Sequence, residues 1–222
     1  MLISNTLQEN FVGTYRFELI RLSTDRSTFM ARPKTGDKPN DIRNATVREV
    51  AAIGSTAVSV NKIAKRAGLS VGTIYRYHKT KDDLLFWVFL QLKRDIHKTM
   101  MDAAGDLQGA SLRLRAMWFA LIEYGFNAPQ DFLLVEMMSA ETRPSFLENS
   151  ELQAIQNEVL GEIQAGIDQR VLVNVPTATI ETILASPAIT LARRASLSGI
   201  QIEKEELDRI YNLIWRGIAQ DH

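Results

Sequence analysis

The 222-residue sequence predicts an all-α protein: an N-terminal three-helix helix-turn-helix domain, joined by a long helix to a larger helical domain. Three observations predict this. Beyond residue 40, apolar residues recur at three- and four-residue spacing and strand-like alternation is almost absent. Capping residues and glycines break the pattern at short intervals between 54 and 80. The charge is divided along the chain. Lys+Arg and Asp+Glu each number 26, yet segment 30–81 holds eleven basic residues against three acidic ones, a net +8, and 82–222 carries the compensating −8. Phosphate binding depends on local cation density rather than on the chain total, so the basic segment is a candidate polyanion footprint.

The elements follow in order. A first helix is expected over 40–53, with Val47, Val50, Ala51 and Ile53 on one face and Gly54 at its end. Ser59 caps a short helix running to Ala67, which buries Val60, Ile63, Ala64 and Ala67. Gly68 provides the left-handed residue of a tight turn. Ser70 caps a third helix containing Val71, Ile74 and Tyr75. Thr80 caps a long fourth one, with Asp82 and Asp83 in its first turn and apolar positions through Leu92, Ile96 and Met100. Further helices are expected over 107–126, 130–139 (closed by Pro144), 150–169, 177–196 (bent at Pro187) and 203–219. The run 171–175 is strand-like and reads as an extended linker into Pro176.

Composition excludes several function classes. Without cysteine there is no disulfide framework, thiolate zinc site or cysteine nucleophile, which fits a reducing compartment and a cytoplasmic protein. No apolar stretch approaches the ~18 residues of a membrane helix. The chain shows no glycine-rich phosphate loop, nucleophile elbow, HExxH or paired metal-ligand spacing. The expectation is a non-enzyme with no cofactor and no metal.

The stretch from Ser59 to Lys81 carries the function. Two short helices joined by Ala67-Gly68-Leu69-Ser70 make a helix-turn-helix. Ala64 is small enough for a close helix crossing, Leu69 plugs the space between the helices, and Ile74 anchors the second one. Its exposed face offers Val71, Gly72, Thr73, Arg76 and Tyr77 to a major groove of double-stranded DNA.

From 41 to 85 the chain resembles the TetR family of bacterial transcription regulators. The resemblance rests on Ile63-Ala64-x-x-Ala67-Gly68-Leu69-Ser70, on Gly72-Thr73-Ile74-Tyr75-x-Tyr77, and on Lys79-x-Lys81 followed by Leu84-Leu85. Ser186-Pro187, Gly199 and the run from Leu207 to Gly217-Ile218 resemble the closing helix pair of many members. The resemblance implies that Ser59, Tyr75 and Lys81 contact phosphates, that Asn61, Thr73 and Tyr77 read bases, and that Val71 packs on a thymine methyl; Lys79 and Arg76 belong to the same surface. Structural alternatives stand beside these roles: Ser59 and Ser70 as plain caps, Tyr75 as a core residue. Where the family usually has a bulky apolar residue, most often Phe, this chain has His78, whose ring is expected to fill the same slot between the third and fourth helices.

The resemblance further implies a homodimer that reads a palindrome, most often as a repressor released by a small-molecule effector of unknown identity. The expected dimer face is Ile180, Leu184, Leu207, Ile210, Tyr211, Ile214 and Ile218, unless that stripe belongs to the core of one chain. The expected effector pocket is lined by His97, Trp118, Tyr124, Phe132, Glu136 and Met137. The alternative is an architectural DNA-binding protein with no ligand. Domain boundaries are expected at 1–39 (an arm carrying Arg32, Lys34 and Lys38), 40–83 (the reader) and 84–222 (effector binding and dimerisation). Met30-Ala-Arg-Pro-Lys-Thr-Gly resembles the usual start of a member, so residues 1–29 are either untranslated or an extension.

Overall fold

The structure is a computed structural model that describes residues 36–140 and 148–220. The expectations for residues 1–35, among them Met30, Arg32 and Lys34, and for Pro144 lie outside the described residues. The described helices belong to one unit that begins at Asp37. It contains nine helices among the described residues: α1 (Lys38–Ile53), α2 (Val60–Ala67), α3 (Val71–Tyr77), α4 (Lys81–Ala104), α5 (Ala110–Asn127), α6 (Pro129–Ala140), α7 (Ser150–Asp168), α8 (Thr177–Ser198) and α9 (Lys204–Ile218). The fold is all-α, with a helix-turn-helix at the front of a larger helical domain.

Local chemistry sets the helix starts. The side chains of Ser59, Ser70 and Thr80 accept from the backbone N–H groups of Lys62, Thr73 and Asp83, at 3.4, 3.1 and 3.0 Å. Asp83 returns the bond to the Thr80 N–H, so α4 begins with a capping box. Gly68 ends α2 in the left-handed region at φ 68°. Helix α1 begins earlier than expected, because Asp37 accepts from the Asn40 N–H and Pro39 suits a first turn. Its buried stripe is Ile42, Ala45, Thr46, Glu49 and Val50, with Val47 beside it. Ala51 and Ile53, expected on the inner face, lie off this stripe and are exposed. The 171–175 run, expected as an extended linker, bends at 171 and again at 174–175, and between the bends it pairs with the end of α9: the Val173 N–H donates to the Ile218 carbonyl and the Gln220 N–H to that of Val171, both at 2.9 Å.

Two apolar clusters organise the interior. The first begins in the helix-turn-helix with Ile42, Val50, Ile63 and Ile74. It continues through Leu84, Leu85, Val88, Leu92 and Ile96 of α4 into Phe132, Leu134 and Met138 of α6. It therefore runs without a break across the expected boundary at 83/84. The second joins Leu114, Trp118 and Ile122 of α5 to Ile163, Leu172, Ile180, Leu184, Leu207, Tyr211 and Ile218. The Trp118 indole N–H donates to the Leu184 carbonyl at 3.0 Å, which satisfies its one polar atom.

Helices α5 and α8 cross at Gly125. A Cβ there would lie 2.7 Å from the Ala192 Cβ and 2.9 Å from the Ala192 carbonyl oxygen. Gly161 of α7, by contrast, has open space around it. Gly125→Ala should destabilise the protein by about 1–3 kcal/mol, while Gly161→Ala should stabilise it by about 0.5–1 kcal/mol. Thermal denaturation of the two variants checks this; a shift of the same sign in both would contradict the close crossing.

Candidate functional site

The surface of α3 is built by what its other face buries. Ile74 is fully enclosed and holds the helix to α2 and α4, so the side chains of Tyr75, Arg76 and Tyr77 point outward and the backbone at Gly72 is exposed. Tyr75 is 47% and Tyr77 50% exposed, an unusual placement for two rings one and three residues beyond the fully buried Ile74. Asn61 and Lys62 of α2 and Lys79 after α3 are exposed on neighbouring elements, and Val71 is half-buried against the core. Two of the expected contact residues are committed elsewhere. Thr73 is buried, its hydroxyl shares a 2.9 Å hydrogen bond with that of Ser70, and it accepts from the Arg76 guanidinium at 3.5 Å. The Lys81 ammonium donates to the carbonyls of Ser55, Thr56 and Val58 at 3.4, 3.1 and 3.2 Å, which uses all three of its N–H groups to hold the α1–α2 loop. Ser59 serves as the cap of α2.

His78 ends α3. Its ring is half-buried, with its centroid 4.8 Å from that of Trp87 on α4. Burial lowers its pKa below the ordinary histidine value of 6.5, and the Asp83 carboxylate opposes that shift. The ring thus packs between the third and fourth helices in its neutral form.

Polar ties connect α1 to its neighbours. Glu49, nearly enclosed, accepts from the Arg66 guanidinium of α2 at 2.5 Å. Arg43 donates to Asp95 of α4 at 2.5 Å and to Asp131 of α6 at 3.2 Å. Tyr124 of α5 belongs to this cluster through its hydrogen bond with Asp131, and burial pushes the pKa of both groups up.

A cavity of about 270 Å³ lies between the two apolar clusters. Its walls include Ile96, His97 and Met100 of α4, Trp118 of α5, Phe132 and Glu136 of α6, and Leu184 of α8. Of the residues expected around a pocket, His97, Trp118, Phe132 and Glu136 are brought together there. Tyr124 and Met137 are not: Tyr124 turns to Asp131, and Met137 packs against the first cluster. Sequence reasoning missed Lys93, Gln156 and Glu181, which also line the cavity. Lys93 had a readable signal, since it stands in the same stripe of α4 as Ile96, His97 and Met100.

Five of the seven residues expected at a dimer face, Ile180, Leu184, Leu207, Tyr211 and Ile218, are buried within the single chain. Tyr211 explains why: it stacks on Trp215 at 5.8 Å and meets Trp118 edge-on at 5.3 Å, so that side of α9 faces inward. Ile210 and Ile214 are half-buried. The apolar side chains left outward on α8 and α9 are Ile183 (40% exposed), Leu197 (70%) and Leu213 (69%).

No helix among the described residues is long and apolar enough to cross a membrane, and none of their His, Asp and Glu side chains group to hold a metal. Residues 42–88 match the family of bacterial regulatory proteins called the tetR family. The fatty acid metabolism regulator protein of Bacillus subtilis is 27% identical over 157 residues, which cover 63% of this chain and 78% of that protein. A TetR family transcription regulator from Marinobacter aquaeolei superposes with a TM-score of 0.75 at 27% identity, over 84% of this chain and 97% of the other. The regulator FadR from Bacillus subtilis, solved in complex with stearoyl-CoA, shares the fold at 18% identity, with a TM-score of 0.68 over 81% of this chain and 99% of the other.

The neutral packing of His78 gives stability a pH dependence. Its folded pKa lies below its unfolded one, so this contribution is complete above about pH 6.5 and is lost as the pH falls through the folded value. His78→Phe removes the titration. The drop in melting temperature between neutral pH and about pH 5.5 should be smaller in the variant than in the native protein; an equal drop would show that His78 carries no such linkage.

Proposed function

Because the chain belongs to the TetR family of bacterial transcription regulators, we propose that it binds a palindromic operator as a homodimer, represses the adjacent genes, and leaves DNA when a small effector fills the cavity bordered by α4. The observation that carries this reading is the outward face of α3. Tyr75, Arg76 and Tyr77 are presented together by a buried Ile74, within a segment of net charge +8. Tyr77, Asn61 and Gly72 face the bases, with Val71 beside a thymine methyl and Thr73 orienting Arg76. Tyr75, Lys79 and Ser59 lie along the phosphates, and Lys81 contributes charge while keeping the loop before α2 in place.

The dimer forms across the outward apolar face of α8 and α9 at Ile183, Leu197 and Leu213, flanked by Ile210 and Ile214. Exposed large apolar side chains of this kind mark an interface. Two copies then present two recognition helices about one helical turn of DNA apart, ~34 Å. The cavity supports an effector-responsive regulator over an architectural protein, because a ligand that favours one position of α4 shifts the balance between two arrangements of the readers. The likeness to a fatty acid metabolism regulator favours genes of lipid metabolism as the regulated set.

Selection of bound sequences from random DNA tests this. The expected product has two-fold symmetry, and an asymmetric one would contradict the dimer. On the selected site, Tyr77→Ala should lose about tenfold or more in preference over random DNA. Lys79→Ala should weaken binding to both alike and reduce the salt slope by about one. Equal effects of the two substitutions on specific and random DNA would refute the division of roles.

A further inference from the structure

The cavity is lined mainly by apolar side chains, but its polar ones are not equally provided for. Glu136 receives the Arg193 guanidinium through three contacts of 2.6–3.0 Å. Glu181 accepts from the Gln156 amide at 2.5 Å. His97 Nε2 lies 3.1 Å from a Glu158 carboxylate oxygen, although out of hydrogen-bond alignment. Lys93 differs from all of these. It projects from the apolar stripe of α4 into the cavity wall, and its ammonium makes no hydrogen bond or ion pair among the described residues. Glu181 acts on it only through its field, while burial lowers its pKa below that of an ordinary lysine.

Lys93 is half-buried, and an ammonium on an apolar wall with no acceptor of its own is stabilised when an anion is supplied there. The other wall residues fix what carries that anion. Leu114, Trp118, Phe132, Ile163 and Leu184 are buried side chains that offer an apolar body a dry surface. With about 270 Å³ the cavity is slightly smaller than most small-molecule pockets, so the charged group has to be compact and the body slender. We propose that Lys93 is the headgroup anchor of this cavity, and that the effector is an amphipath with a single small anionic group, a carboxylate, on an aliphatic or flat apolar body. The inference rests on the reading of the cavity as an effector site.

Isothermal titration of the full chain with decanoate, decanol and decyltrimethylammonium, each below its aggregation limit, tests it. The native protein should bind decanoate at least about tenfold more tightly than decanol, one charge-assisted contact being enough for that ratio. The quaternary ammonium should bind most weakly. Lys93→Met should reduce decanoate to the level of decanol while leaving decanol unchanged, and Lys93→Arg should keep the preference. Decanoate binding no tighter than decanol, a preference that survives in Lys93→Met, tighter binding of the cation, or no binding of any probe would each overturn the proposal. If the methionine variant does not fold, the ranking of the three probes on the native protein decides alone. Operator binding by the ligand-free protein is read separately. A protein that binds its operator but ignores decanoate loses only the present inference; one that binds decanoate but selects no DNA loses the regulator reading.

Discussion

The packing along α4 is the constraint on which the rest of the structure depends. The first turns of this helix place Leu84, Leu85 and Val88 in the same buried cluster as Ile63 and Ile74 of the helix-turn-helix. Two turns further on, Ile96, His97 and Met100 form part of the cavity wall. A helix of 24 residues is ~36 Å long and bends little without a proline or a bulge. It therefore connects the two regions as a rod rather than as a tether. The capping box at Thr80 and Asp83 fixes where the rod begins, and the Lys81 ammonium ties that same end to the loop ahead of α2.

The second connection is polar. Arg43 of α1 bonds to Asp95 in the middle of α4 and to Asp131 of α6, and Tyr124 of α5 closes the group. Four helices thus meet around one half-buried guanidinium, whose Nε is buried without a partner. Such a cluster contributes less to stability than to specifying one arrangement, since breaking any member strands a desolvated charge. A two-state coupling between cavity and reader needs discrete packings of this kind, not a continuous deformation.

Much of the reader was legible in the sequence because short-range chemistry dictates it. Ser59, Ser70, Thr80 and Gly68 each act within four residues of themselves, and each does in the structure what its side chain or backbone permits. The inner face of α1 was less legible. Apolar residues occur on both sides of this helix, and the positions of α2, α4 and α6 select Ile42, Ala45 and Val50 over Ala51 and Ile53. The cavity and the outward face of α8 and α9 depend on how distant helices pack, which spacing along one helix cannot reveal. Tyr124 carries an aromatic ring like Trp118, yet an acidic neighbour 7 residues on draws it into the Arg43 cluster. Leu207 and Leu213 share one helix and nearly the same chemistry, but Tyr211, between Trp118 and Trp215, turns the first inward and leaves the second exposed.

Coupling through α4 can be measured without knowing the effector. Ala185 lines the cavity, and Ala185→Leu places additional side chain inside it. If occupation of the cavity is transmitted along α4, operator binding by this variant, followed by fluorescence anisotropy with no ligand added, should be about 5–150-fold weaker than that of the native protein. A folded Ala185→Leu protein that holds its operator with native affinity would contradict the coupling.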